Sequence, residues 1–487
     1  MYRQILGYIP SVVVPAFISM AIVYAYTRLL TPAAFGSYTF VFSVVLVLQS
    51  SLFFALPTTV MRFYPQAAVA GRQDRFLKQA YVLFYVMAGA TVLLAVGASL
   101  LVDLPADYRL AAWLALPLLL FRSLVQLNQS VNRSADRMGR HNMIEGLHAA
   151  LGFLLGLAAL LVLGQGPESI ILGLLIAAII CAGIDIRRLG APFRADTGSF
   201  QRQEVHQLLD YAWPLVAAQA TEIIMQNGDR FLLGSLSGTE ALGIFAVAYS
   251  LVERPTSLIC LSITTATFSL VLQVLERQGR EAARLQAGRN GIALLAVALP
   301  ACAGLALTAP YLSAVLVGPA FRDGVAVLIP IMCFATLIRG VRAHFVDHAF
   351  HLSGKPLGML WSYAPATVLN ILLNLWAVPH YGMFGAAWVS VICQVVAFCG
   401  SWYLASRHFL VWLPAGQVVR CILAIVPMAA ALILARFSLD WRGLLTATLL
   451  GGAVYAASAI ALDVGEIRSL GWTILRRRGR KLPALAG

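Results

Sequence analysis

Apolar residues gather along this chain into long runs, broken by short polar segments that carry most of the arginines. Runs of about 20 apolar residues fit helices that cross a hydrocarbon layer, whereas barrel strands would alternate over about ten. Fourteen such windows fall near residues 5–27, 36–58, 80–102, 109–131, 143–163, 168–184, 208–230, 241–272, 287–308, 325–350, 357–378, 383–405, 415–435 and 442–463. The pattern predicts an all-α membrane protein with 14 transmembrane helices, since only helices and closed barrels satisfy the backbone in lipid. The longest interruptions, 59–79 and 185–207, are too short to hold a core of their own, so no soluble catalytic module is expected.

The pattern also repeats. Residues 36–45, GSYTFVFSVV, align with 243–252, GIFAVAYSLV, through a glycine, two aromatic positions and a serine. Upstream, Tyr8-Ile9-Pro10 meets Ala212-Trp213-Pro214; downstream, the Ser134 turn meets the Ser353 turn. Each copy would hold six spans, an even number, so both start on the same side and form parallel repeats. The expected organisation is an N-lobe over 1–207, a C-lobe over 208–410, and two extra helices with a basic tail over 411–487. Two such lobes around a cleft are the parts that alternating access uses. Pro10, Pro15, Pro214, Pro255, Pro300, Pro330 and Pro365 fall within spans, where proline kinks a helix but is also common. Gly152 and Gly156 read as a close helix contact.

Composition sharpens this. The chain is 60% hydrophobic and 11% charged, with a mean hydropathy of +0.81. Soluble domains carry about 25% charged residues. The net charge of +14 would suggest nucleic acid in a soluble protein, but membrane proteins collect Lys and Arg in their cytoplasmic loops. With both termini placed in the cytoplasm, twenty-seven of the 35 Lys and Arg fall inside and six outside. Arg122 and Arg254 remain within spans. The orientation expected is a multi-pass protein of a bacterial inner membrane, with both ends cytoplasmic and no nucleic-acid partner. Arg3 precedes the first apolar run, but that run leads directly into another span, so no cleavable signal is expected. The seven cysteines lie in apolar runs without a CxxC and read as packing residues.

Ionisable groups deep in a span cost about 2.5–3.5 kcal/mol each on insertion scales and persist where they meet a polar space or one another. Glu222, Glu253, Arg254 and Arg122 lie well inside spans, and Asp229 and Arg230 lie near the outer end of span seven. The carboxylates suit a coupling ion, H⁺ or Na⁺, or a structural counter-ion role. Arg254 could pair with Glu222 or Asp229, or face a ligand. His344, Asp347, His348 and His351 share one helical face at i, i+3, i+4 and i+7. That spacing alone is a weak metal signature and reads better as a polar helix end, so no metal or other cofactor is expected.

The stretch YTRLLTPAAFGSYTFVFSVV (26–45) with TTVMRFYPQ (58–66), the turn NGDRFLLGSL (227–236) and the segment LNILLNLWAVPHYGMFGAAWVSV (369–391) resemble the polysaccharide-transporter branch of the multidrug/oligosaccharidyl-lipid/polysaccharide exporter superfamily, which contains the Wzx-type O-antigen and exopolysaccharide flippases. Arg28, Leu29, Leu30, Pro32, Phe35, Gly36, Tyr38 and Arg62 fill the branch's N-terminal pattern. Ala33 departs from an often acidic position, and LGQGPESIILG (164–173) stands where a YG-x-x-GAA would be. The resemblance implies a flippase that carries a polyprenyl-diphosphate-linked oligosaccharide across the inner membrane for polysaccharide biosynthesis. It also implies a cationic cavity in membrane lipid, and neighbours such as a polymerase and a chain-length regulator. It points to Arg28, Arg62 and Arg254 as contacts for the pyrophosphate, to which depth in the span adds Arg122. Arginine's planar fork donates to two phosphate oxygens and stays charged. Snorkelling explains Arg28 and Arg62 equally well. The rivals are a multidrug/cation antiporter of the same superfamily, expected to be more acidic inside, and a membrane glycosyltransferase or polymerase, expected to carry a large external loop. A scaffold would need no ionisable groups in its spans.

Overall fold

A computed structural model describes residues 2–101, 106–164, 166–185, 202–353, 357–409 and 412–468. Arg3 and Pro10, whose side chains are not described, and Arg187, Arg188, Arg194, Lys355 and the basic residues beyond 468 lie outside what can be placed. The described residues are helical, without a strand among them. In order they are α1 (Tyr2–Leu29), α2 (Pro32–Leu48), α3 (Ala55–Val69), α4 (Gln73–Leu101), α5 (Ala106–Ser134), α6 (Met138–Leu163), α7 (Pro167–Ile184), α8 (Arg202–Leu236) and α9 (Thr239–Gln278). They continue with α10 (Arg280–Leu307), α11 (Ala309–Leu316), α12 (Arg322–Val341), α13 (His348–Leu352), α14 (Leu357–His408), α15 (Ala415–Leu434) and α16 (Trp441–Ala461).

Among the described residues, eleven helices are long and apolar enough to cross a membrane. This is fewer than the fourteen windows, for physical reasons. Windows eleven and twelve both fall within α14, which is broken at Gly382 (φ 54°, ψ −135°). The apolar part of α1 counts only as a shorter helix, Val14–Leu29, and α8 interrupts its apolar run with charged and polar residues. Many large apolar side chains lie on the surface, such as Leu161, Val162, Trp361 and Leu434. Water would penalise such a surface, and lipid does not.

Contacts divide the chain into two compact units. The first holds residues 1–251, 316–325 and 356–397. Its core is Val45, Phe53, Leu56, Val60, Phe84, Leu118 and Ile171 on α2 to α5 and α7. A π-turn, Gln49–Phe53, joins α2 to α3. Gly156 on α6 admits the Tyr26 side chain of α1 and the backbone of α7, and the Tyr26 hydroxyl donates to the Phe153 carbonyl at 3.2 Å. The close contact expected at Gly156 is thus present.

The two segments aligned in the sequence meet in this unit. A side chain at Gly36 would run into the carbonyl of Thr239 and the nitrogen of Gly243, and one at Gly243 would run into the carbonyl of Pro32 and the nitrogen of Gly36. Each glycine of the two aligned segments therefore sits against the residue four before the other. The starts of α2 and α9 pack backbone to backbone there, with no room for a Cβ on either side.

The second unit holds residues 252–315, 326–355 and 398–487. Here α10, α15 and α16 pack around Ile292, Cys421, Ala424, Ala459 and Val464, and the Tyr455 hydroxyl donates to the Ala296 carbonyl at 2.6 Å. A second π-turn, Arg342–Val346, carries α12 into α13. The charge count puts Arg339 and Arg342 in an inside loop. Both also fall inside the apolar window 325–350, and the structure keeps them within the helical stretch Pro319–Leu352, with Arg342 0% exposed.

Candidate functional site

In the first unit, polar side chains meet between α2 and α5. The π-turn after α2 begins at Gln49 and turns its buried amide toward α5. Arg122 Nε donates to Gln49 Oε1 at 2.9 Å, and Gln49 Nε2 donates to Gln126 Oε1 at 2.8 Å. The Arg122 guanidinium also lies 5.1 Å from the centre of the Phe42 ring. The Gln49 amide is neutral, so that bond orients the guanidinium without cancelling its charge. π-Turns inside helices recur at functional sites. No residue pattern marks this one, because Gln49 sits in an otherwise ordinary span.

Asp229 is the most enclosed of the expected site residues in this unit. It is 4% exposed, among Asn370 (1%) and Asn374 (0%). Its Oδ1 accepts both asparagine Nδ2 groups at 2.7 Å, and its Oδ2 accepts the Ser390 hydroxyl. Asn370 and Asn374 stand one turn apart on α14, and Ser390 follows the Gly382 break, so both limbs of that helix turn toward α8. All three donors to the carboxylate are neutral. Asn370 Oδ1 and Asn374 Oδ1 are buried without a hydrogen-bond partner. One carboxylate beside two unsatisfied amide oxygens and a hydroxyl is an oxygen-donor set of the kind hard cations take, and it equally suits a proton.

The remaining candidates in this unit are dispersed. Arg28 is exposed; its Nη1 donates to the Tyr24 carbonyl at 2.8 Å and the Leu316 carbonyl at 3.3 Å, and its guanidinium lies 3.7 Å from the centre of the Tyr24 ring. Arg62 is exposed on α3. Glu222 accepts from Gln226 Nε2 at 2.8 Å. Arg230 donates to Asn227 Oδ1 at 3.4 Å and lies over the Tyr249 ring.

The second unit holds the other charged cluster. Glu253 Oε1 accepts Arg339 Nη2 at 2.9 Å and the Ser257 hydroxyl at 2.7 Å, while Arg254 Nε stands 3.7 Å from Glu253 Oε2. Arg339 Nη2 also reaches Ser257 Oγ at 3.3 Å. Glu253 and Ser257 are one turn apart on α9, and Arg339 reaches them from α12. Sequence reading found Glu253 and Arg254 but not Arg339. The available signal was the apolar window 325–350, which runs past that arginine.

The four residues from His344 to His351 do not converge. His344 and His348 line one small pocket with Thr264 and Phe268, while the set is split between the π-turn and α13. His344 Nδ1 lies 3.0 Å from Thr264 Oγ1, Asp347 lies 3.8 Å from Arg342, and the His348 ring lies 4.4 Å from that of Phe268. His351 is exposed, with its ring 6.5 Å from that of His348. Among the described residues no three His, Cys, Asp or Glu side chains gather to hold a metal ion.

Residues 25–326 match the family described as "Polysaccharide biosynthesis protein". No curated protein matches the chain significantly. Among solved structures, "Lipid II flippase MurJ, inward closed conformation" aligns at a TM-score of 0.76 and 14% identity, covering 95% of this chain and 99% of that one. An "Inward-facing conformation of a multidrug resistance MATE family transporter of the MOP superfamily" aligns at 0.61 and 16%, covering 81% and 94%. At these identities the likeness is one of fold.

Proposed function

Because the chain belongs to the polysaccharide biosynthesis protein family, we infer that this multi-pass membrane protein is a flippase for a polyprenyl-diphosphate-linked oligosaccharide, working across the bacterial inner membrane with both ends in the cytoplasm. The observation that carries this is Arg254, whose side chain is 57% exposed although it sits within the span Thr239–Gln278. A guanidinium within a span is costly in hydrocarbon, which supports a wet space beside it. An arginine fork in a wet space within a membrane suits a diphosphate. Arg122, oriented by a neutral amide, offers a second such group.

The two six-helix lobes expected over 1–207 and 208–410 would work by alternating access, while the polyprenyl tail stays in lipid. Asp229, with its two unsatisfied asparagine oxygens, is the residue set best fitted to a coupling ion, H⁺ or Na⁺. A drug/cation antiporter would share the fold, but arginines within its spans would repel a cationic cargo. The fold neighbours are transporters, and the reading needs no enzymatic step. The glycan would be an O-antigen or exopolysaccharide repeat handed on to a polymerase and a chain-length regulator.

Arg254→Ala tests this. The variant is expected to reach the membrane at the normal level while surface polysaccharide is lost. Normal polysaccharide in that strain would remove Arg254 from the transport path.

A further inference from the structure

Glu253 stands between two arginines, and the three differ in exposure. The side chains are 16% exposed at Arg339, 19% at Glu253 and 57% at Arg254. The tight contact is with the sheltered arginine, 2.9 Å to Arg339; the exposed arginine is held only loosely, at 3.7 Å. Ser257 donates to the same Glu253 oxygen that Arg339 binds and lies within reach of the same Nη2. Within this trio, two guanidinium groups face a single carboxylate, which leaves an excess of positive charge.

Resting on the flippase reading, we propose that Glu253 is a built-in competitor for the cargo's diphosphate, and that Arg339 is a second arginine of the binding site, hidden until Glu253 yields it. Two cations match a doubly anionic diphosphate; two cations and a carboxylate do not. On loading, one phosphate meets the exposed Arg254 first. The other then displaces the Glu253 carboxylate from Arg339, with the Ser257 hydroxyl free to turn toward whichever anion is present. An exchange of anions suits Arg339, the sheltered arginine of the cluster at 16% exposure. Replacing carboxylate with phosphate keeps an anion beside its guanidinium throughout. The returning carboxylate then drives release, which keeps the site from holding its cargo too tightly to turn over. Arg254 is thereby the entry contact, Arg339 the contact made only in the loaded state, and Glu253 the group that sets affinity against release.

The test is binding of farnesyl diphosphate, with neutral farnesol as the control, to the full chain in lipid nanodiscs. Tryptophan fluorescence gives the affinity, and a thermal melt reports stability. Glu253→Gln is expected to bind farnesyl diphosphate about tenfold more tightly, since a carboxylate competing through a charged hydrogen bond is gone. It should also move cargo more slowly in cells. Arg339→Gln is expected to bind about tenfold more weakly, and farnesol binding should change in neither. Unchanged diphosphate affinity in Glu253→Gln, with only a lower melting temperature, would overturn the proposal and leave a structural ion pair. If Glu253→Gln does not fold, Glu253→Asp serves, because its shorter carboxylate draws back from Arg339. Tighter binding in that variant supports the proposal, and unchanged binding overturns it. Wild type that binds neither probe, or farnesol as well as the diphosphate, would instead defeat the flippase reading itself.

Discussion

Replacing Asp229 by alanine and by asparagine separates its part in holding α8 to α14 from its part in ion coupling. The carboxylate receives three hydrogen bonds, from Asn370, Asn374 and Ser390. Alanine removes all three hydrogen bonds in a buried place, although Asn374 Nδ2 keeps its bond to the Asn370 carbonyl at 2.9 Å. Interhelical hydrogen bonds in membranes average about 0.6 kcal/mol, and a stranded buried donor costs up to about 3 kcal/mol. Three of them put the loss between about 2 and 9 kcal/mol. Asparagine keeps an oxygen for the two asparagine donors, and the Ser390 hydroxyl can rotate to accept from the new amide, so most of that loss is avoided. The assay is a thermal melt of detergent-purified protein in sodium chloride and in choline chloride, across pH. Asp229→Ala should melt well below wild type in both salts, and Asp229→Asn close to it. A bound cation at a hundredfold excess over its Kd adds about 2.7 kcal/mol, so any sodium- or pH-linked gain seen in wild type should vanish in Asp229→Asn. Equal melting of the two variants would refute the donor accounting. Wild-type melting that ignores sodium, together with proton-independent transport, would remove Asp229 from coupling.

Two further outcomes follow from the geometry. Gly156→Leu drives a side chain into Tyr26 and α7, where only glycine fits, and should lower the thermal stability of the first unit by about 1–3 kcal/mol or more, the usual cost of overpacking; an unchanged melt would contradict the close contact. Asp440 caps α16 through the Gly443 N–H at 2.8 Å, and the Ser438 hydroxyl and that N–H hold its carboxyl below the usual range. A depressed folded pKa gives stability that is complete above the ordinary carboxylate range and is lost as pH falls through the lowered value. Hydrogen exchange in the first turn of α16 should therefore quicken in acid in wild type, and the acid sensitivity should disappear in Asp440→Ala.

The helices were legible because a span must be apolar over its length, and little else in a sequence imitates that. Arg122, Glu253 and Arg254 stood out for the converse reason, as charges where charge is expensive. Arg339 did not, because the charge count grouped it with the cytoplasmic cations although it falls inside the window 325–350; its contact with Glu253 shows it to be sheltered. The Asp229 pocket was half legible. The aspartate and the asparagine-rich stretch could be read, but not their meeting, which depends on the approach of α8 to α14. The histidine stretch was legible in part: His344 and His348 line one pocket, but the pairing of Asp347 with Arg342 across the π-turn could not be read from spacing.

Gly36 and Gly243 lean on one another so that exchanging the two halves returns the same contact. A twofold pair of identical half-length chains makes contacts of this kind by symmetry alone, each surface patch being its own complement. At such a self-matched spot the bulk a side chain adds is met by equal bulk from its twin, so the smallest residue is favoured on both sides together. A Cβ on either one meets the backbone of the other segment, so each position on its own should refuse a larger residue.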